Sequence, residues 1–493
     1  MQQQNEAEAV FENALEQQAT TSSRRFAIAP GRIASGSITW QVFLVAAAAV
    51  LAMALHFDDG SLGPVSIVVF TGAMWLAIRA IGGPTRGTLE ARGEQAIDRA
   101  LGLGIASAIV GSLIKFVSIY WIPAIGERLL VDALLGVVAF IVAAAFRWPN
   151  RGVSLRLPAI VAIYLVIGLL IIPRAPDPPI DVFTVQRDSA AAFMAGTNPY
   201  TITFPDQYHG TSKYYAPGMS VNDRLQFGFL YTPLSLLAIL PGHLVGDVRY
   251  SHLVAMALAG LFAALALGGR SRRGFLVATF FLFSPRNYLV VERAWTECFV
   301  ITCLAFVAFA TCRWKRALPV ALGLLFASKQ YMVLTVPLLW LLFGERANRR
   351  QVVSTMAVAG LVAAIITVPF ALANLHAFIY CVGLVQIKQP FRWDALSYPA
   401  LLNWFTGIQL PSLLGFAALI AGMYVSLRRA PRTAAGYCLG LGFSFLVFFA
   451  FNKQAFCNYY FFVFAALCLA IAANGAETQA APAPFRPQAP AER

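Results

Sequence analysis

Charge is scarce in this chain. Of its 493 residues only 12% are Asp, Glu, Lys or Arg, while 59% are apolar. A soluble domain carries about a quarter charged residues and is nearer half apolar, so this composition excludes a water-soluble globule. Histidine is rare, with five copies, and the seven cysteines are scattered, mostly inside apolar runs, with no CxxC or metal-ligand spacing. They read as small buried hydrophobes. There is no Asp-x-Asp metal pair, no phosphate-cradling P-loop and no Ser-His-Asp set. No metal and no cofactor is therefore expected. No fixed-period repeat is present, which excludes a solenoid.

What the chain has instead is a succession of apolar runs of about 17–22 residues, each long enough to cross a bilayer. Spanning helices are expected near 38–56, 63–81, 100–122, 129–146, 157–173, 248–269, 274–291, 294–312, 352–373, 410–427, 433–451 and 456–473. The fold class is an all-α polytopic membrane protein of about twelve transmembrane helices. Residues 1–37 read as a cytoplasmic tail, with a short amphipathic helix at 7–18, and not as a signal peptide. Residues 476–493, rich in Pro and Ala, read as a disordered cytoplasmic tail.

The net charge of +14 is explained by where the arginines fall, and needs no nucleic acid partner. Arg24, Arg25 and Arg32 precede the first run. Arg79, Arg86, Arg92 and Arg99, then Arg147, Arg151 and Arg156, then Arg270, Arg272 and Arg273 mark three further loops. Arg313, Lys315 and Arg316, then Arg346, Arg349 and Arg350, then Arg428, Arg429 and Arg432 complete the set. Short basic loops lie on the cytoplasmic side of a plasma membrane. Two apolar stretches must then not cross it. Residues 229–246 are expected along the outer interface. Residues 317–343 are expected to dip in and return as a re-entrant hairpin with the polar tip "ASKQY". Both termini are then cytoplasmic, and outer loops at 174–247 and 374–400 overlie a cavity. Four helices at 38–150 precede this core of 151–475.

Within the first outer loop, Asp181 follows the stiff segment "PDPP". The amphipathic run 182–195 reads as a helix with Asp181 at its N-terminus and Gly196 as its C-cap. Asp181 is either a cap for free backbone N–H groups or a catalytic carboxylate. Asp188 reads as a solvated charge or one adjacent to Arg187. His209 is a lone loop histidine and reads as a plain polar residue.

Asp181, then Gly196, Asn198, Pro199 and Tyr200, then Tyr231, Pro233 and Leu234, occur in an order that resembles the GT-C glycosyltransferases. The nearest resemblance is to the polyprenol-phosphate-mannose-dependent mannosyltransferase branch. Gly323, Leu324 and Lys329 are similar to that family's Gly-Leu…Lys segment. The resemblance spans roughly 157–473. Thr232 departs from the usual first proline, and "VERAWTE" stands where relatives often carry Gly-Gln-x-Asn. The resemblance implies transfer of a sugar, mannose among the candidates, from a polyprenyl-phosphate donor to a lipid or glycan acceptor on the outer face, with membrane lipids as surroundings.

In that chemistry a hydroxyl attacks the anomeric carbon and polyprenyl phosphate leaves. Asp181 is the candidate general base. Cations must meet the leaving phosphate. The candidates are Lys329, costly in an apolar zone unless paired or functional, with Arg286, Arg293, Lys388 and Arg392. Glu292 and Glu297 are expected partners of Arg286 and Arg293, and Glu297 is also a candidate for a sugar hydroxyl. Tyr200 and Tyr231 are candidate sugar-binding aromatics, as are Tyr208, Tyr214, Tyr215, Trp393, Tyr398 and Trp404, all of which also suit an interfacial belt. Lys115 and Asp132 are expected to pair across adjacent helices. The competing reading is a transporter or flippase of lipid-linked saccharides, which calls for repeats with matching broken helices. The sequence offers only one broken segment. A scaffold without chemistry is the third reading, and the buried lysine and loop aspartate weigh against it.

Overall fold

The computed structural model describes residues 34–83, 91–210, 214–343 and 348–480. The candidate helix at 7–18 and Arg24, Arg25, Arg32, Arg86 and Arg346 lie outside them.

The apolar runs fold as helices: α1 (Ala34–Phe57), α2 (Pro64–Gly82), α3 (Ala91–Ile114), α4 (Ile125–Arg147) and α5 (Val153–Ile171). The segment after α5 then carries α6 (Asp181–Met194), and α7 (Pro233–Leu244) leads into α8 (Arg249–Ala266). Next come α9 (Arg272–Leu282), α10 (Asn287–Glu292), α11 (Glu297–Arg313), α12 (Leu318–Ser328), α13 (Leu339–Phe343) and α14 (Arg349–Ala373). The chain ends with α15 (Leu375–Ile379), α16 (Val385–Lys388), α17 (Tyr398–Thr406), α18 (Leu413–Arg429), α19 (Ala434–Ala450) and α20 (Cys457–Ala480). Eight of these, α1–α5, α8, α14 and α20, are long and apolar enough to cross a membrane. The final helix continues to Ala480, past the expected onset of disorder at 476.

Two departures from the expected pattern bear on the site. The run expected as one span over 274–291 is two helices, α9 and α10. Pro285 cannot donate to a helix, and Arg286 after it sits at φ 72°, in the left-handed region. The hairpin segment breaks at Lys329, whose backbone is extended (φ −159°, ψ 143°) between α12 and a 3-10 stretch, Gln330–Leu338. Among the described residues, two of the expected apolar segments are therefore broken where the sequence indicated one.

The fold is not purely helical. Between α6 and α7, β1 (Phe204–Pro205), β2 (Ser220–Val221) and β3 (Arg224–Leu225) form a small antiparallel sheet in the order β1-β3-β2. Asn222 and Asp223, both at positive φ, make the β2–β3 turn, as this tight hairpin requires. α6 ends as expected: Gly196 has φ 77°, and the N–H groups of Gly196 and Thr197 return to Phe193 O (3.0 Å) and Ala192 O (2.8 Å).

α8 packs against α11, α9, α7 and α6's neighbour α5, and α1 packs on α2, α3 and α20. At the basic end, Asp98 of α3 is buried and accepts from Arg272 (2.7 Å) and Arg273 (3.0 Å) of α9. Removing one partner of such a pair typically costs about 3–5 kcal/mol. The expected Lys115–Asp132 pair does not form. Lys115 lies beyond the end of α3 and reaches Asp59 (2.9 Å) and the carbonyls of His56 and Phe57. Asp132 is taken by Arg128, one turn before it on α4 (3.4 Å).

Candidate active site

The N-terminus of α6, the turn between α10 and α11, the break at Lys329, the 386–394 loop and the start of α20 converge on a cavity of about 370 Å³. Asp181, Tyr231, Arg293, Glu297, Lys329 and Arg392 all line it. The sequence placed Asp181, Tyr231 and Arg392 in outer segments, Arg293 and Glu297 around one turn, and Lys329 at the tip of the re-entrant hairpin.

Asp181 is the first residue of α6, and Ile180 takes the cap position. Its Oδ1 accepts the Val182 N–H (2.8 Å) and the Tyr208 hydroxyl (3.4 Å), and its Oδ2 accepts the Tyr215 hydroxyl (2.9 Å). Tyr208 stacks on Tyr214 with ring centroids 4.0 Å apart. Burial under these rings raises the Asp181 carboxyl above its ordinary value, against the lowering effect of the Tyr215 hydrogen bond, the Val182 N–H and the Arg392 charge.

Lys329 stands in a cage. Its Nζ bonds Glu297 Oε1 and Thr296 Oγ1 (3.1 Å), and lies 5.5 Å from the ring centres of Tyr231 and Tyr331 and 5.6 Å from that of Tyr459. Arg392 forks onto Asp394 (two contacts of 2.9 Å) and packs over Tyr214 and Phe456. Its loop is pinned by Lys453, which donates to Ile387 O (2.9 Å) and Gln389 O (2.6 Å). Arg293 lies over Trp295 (5.0 Å) and Tyr120 (5.9 Å). Two of the cavity's cations are thus neutralised by adjacent carboxylates. Among the described residues, Asp181 and Arg293 have no ion-pair partner.

Three expected site residues lie elsewhere. Tyr200 is buried in the core and donates to Tyr231 O (2.8 Å), so it props the backbone of a cavity residue without reaching the cavity. Arg286 is turned away by its left-handed backbone. It pairs with Asp59 (2.8 Å) and donates to Phe116 O (3.2 Å). Lys388 is exposed over the Tyr380 ring, 5.2 Å from its centre. The expected acidic partners also change: Glu297 serves Lys329, and Glu292 holds backbone of the 118–120 loop. Arg187 does hold Asp188 (2.9 Å), and His209 is exposed near Asp223.

Sequence reading missed several lining residues: Ser61, Tyr120, Asp394, and the amides Gln330, Gln386, Gln389, Gln454 and Asn458. Gln330 sits beside the candidate Lys329, and Gln386 and Gln389 flank the candidate Lys388, but nothing in the spacing joins these amides to one another or to Gln454 and Asn458. Among the described residues no group of three His, Cys, Asp or Glu is placed to hold a metal. No protein family, no curated protein and no solved structure matches this chain.

Proposed function

We propose that this chain is a polytopic membrane glycosyltransferase of GT-C type, moving a sugar from a polyprenyl-phosphate donor to a lipid or glycan acceptor at the outer face of the plasma membrane. The observation that carries the reading is the charge inventory of the cavity: among the described residues, one carboxylate, Asp181, and one guanidinium, Arg293, stand without an ion-pair contact in a space whose other charges pair off.

Those two groups match the two ends of the reaction. The acceptor hydroxyl needs a base as it attacks the anomeric carbon, and Asp181, its basicity raised by burial, takes that proton. The polyprenyl phosphate gains charge as it leaves, and Arg293 meets it with a planar fork. The Lys329–Glu297 pair extends the cationic side. The five amides supply hydrogen bonds to sugar hydroxyls, and Tyr208, Tyr214 and Tyr231 supply faces for the ring. An apolar groove of about 470 Å³, lined by Leu234, Val254, Leu258, Phe299 and Leu324, shares α11 with the cavity and suits an isoprenoid chain.

The topology belongs to the same proposal. α11, α18 and α19 are 17-residue apolar helices, and α9 with α10 covers a further crossing. Together with the eight longer helices these give twelve spans. The break at Lys329 makes 317–343 the re-entrant hairpin, α7 is the outer interfacial helix, and both termini are cytoplasmic.

Transfer and translocation are separated by one experiment. Purified protein in liposomes is given polyprenyl-phosphate mannose labelled in the sugar. Appearance of the label in covalent linkage to an acceptor, with free polyprenyl phosphate, supports the transferase. Movement of the intact donor between leaflets, without bond cleavage, overturns it in favour of a flippase.

A further inference from the structure

The four N-terminal helices enter the cavity at two points. The α1–α2 turn supplies Ser61. It is tied to the 392–396 loop by Leu62 N–H to Asp394 O (2.9 Å) and by a bridge between Ser61 and Ala395. Gly60 lets this turn press on α20: it has φ 77°, and a Cβ there would lie 2.5 Å from Cys457 Cα. The α3–α4 loop supplies Tyr120.

Consecutive residues of the α10–α11 turn grip that second loop in different ways. Glu292, fully buried, accepts from Ser118 Oγ (2.5 Å), Ile119 N–H (3.0 Å) and Tyr120 N–H (3.2 Å). Ser118 Oγ in turn accepts the Trp121 N–H (2.9 Å). Arg293, the next residue, lays its guanidinium between the Tyr120 and Trp295 rings. Its Nε is buried and has no hydrogen-bond partner among the described residues. No carboxylate is ion-paired to this side chain among the described residues, so its direction is set by the two aromatic faces and by the Tyr120 hydroxyl beside it. One face belongs to its own turn; the other belongs to the N-terminal helices.

We propose that Tyr120 is a positioning residue for Arg293, and that the N-terminal four-helix segment is the wall that completes the anion-binding half of the cavity. The inference rests on the reading of that cavity as a lipid-phosphate site. A ring face across a guanidinium in a desolvated setting is worth about two- to thirty-fold in affinity. That gain falls on the phosphate and not on the apolar tail.

The test measures equilibrium binding of undecaprenyl phosphate and of undecaprenol to the full-length protein in nanodiscs, by quenching of tryptophan fluorescence. Tyr120→Leu should weaken the phosphate by about three- to thirty-fold and leave the alcohol unchanged. Tyr120→Phe, which keeps the ring face and loses the hydroxyl beside Arg293, should weaken the phosphate less than Tyr120→Leu does and leave the alcohol unchanged. Tyr120→Leu combined with Arg293→Gln should lose little beyond Arg293→Gln alone. If Tyr120→Leu fails a thermal-unfolding control, Tyr120→Met takes its place. Unchanged phosphate binding in the folded variant, or equal losses for phosphate and alcohol, overturns the positioning role and leaves the cavity reading standing. A wild-type protein that does not prefer the phosphate to the alcohol overturns both.

Discussion

Replacing Asp181 by Asn separates chemistry from folding, because the two effects have opposite signs. The carboxylate accepts three hydrogen bonds, from Val182 N–H, Tyr208 and Tyr215. An asparagine keeps one acceptor oxygen and the same shape, so it forfeits about one of these, roughly 1 kcal/mol. Against that loss, burial disfavours the charged form, as the raised pKa records. An uncharged amide removes this penalty. The two terms nearly cancel, and the melting temperature should move by only a few degrees. Turnover behaves differently. Asn cannot accept the acceptor's proton, and loss of a general base typically costs 10²- to 10⁴-fold, about 3–5 kcal/mol of barrier. The assay is release of polyprenyl phosphate at saturating donor, alongside donor binding and a thermal-unfolding scan. The expected result is a folded protein with near-normal donor affinity and turnover down by two to four orders of magnitude. Turnover within ten-fold of wild type refutes the base. A loss of donor affinity as large as the loss of turnover refutes it too, since that describes a binding residue.

Three further outcomes follow from the same geometry. With Asp181 as base, turnover rises with pH through a pKa above the ordinary carboxylate value; the acid limb should vanish in Asp181→Asn. The stability sign is opposite: a raised folded pKa favours the protonated native state, so this group's contribution is present below its unfolded pKa of about 4 and is lost as pH rises through the folded value. A stability–pH curve identical in wild type and Asp181→Asn would count against burial as the cause. Lys329→Ala strands Glu297 in a buried site and should cost about 3–5 kcal/mol of stability together with donor use. Lys329→Met with Glu297→Gln removes both charges and should regain thermal stability but not turnover, and recovery of both would make the pair purely structural. For topology, a cysteine at Thr197 should be labelled by an impermeant maleimide in intact cells and one at Arg151 should not; the reverse result sinks the assigned sidedness.

The sequence reveals the helices well and the site only in part, for physical reasons that particular residues make plain. Apolar runs announce helices because a long lipid-like segment has no other way to satisfy its backbone. Their breaks are harder to see: Pro285 was visible, but its effect depended on Arg286 adopting a left-handed backbone. Asp181, Lys329 and Arg293 could be singled out because a charge near or inside an apolar zone demands an explanation. Their partners could not. Glu292 and Glu297 lie five residues apart and serve quite different groups, one a loop from 172–174 residues earlier and the other a lysine 32 residues later. Those separations carry no periodic signal. Tyr120 and Ser61 were invisible because they enter the cavity from helices that read, in sequence, as a separate appendage.

The central claim is that the cavity breaks the bond between a sugar and a lipid phosphate and passes the sugar to a hydroxyl. Its most direct measurement is incubation of the purified protein with a panel of polyprenyl-phosphate sugars and a membrane-lipid extract as acceptor, scored by mass spectrometry for free polyprenyl phosphate and glycosylated product. The account predicts that at least one donor yields both products in equal amounts, and that Asp181→Asn and Arg293→Gln yield neither at comparable rates. Intact donors across the whole panel, from a folded protein that binds them, would contradict it.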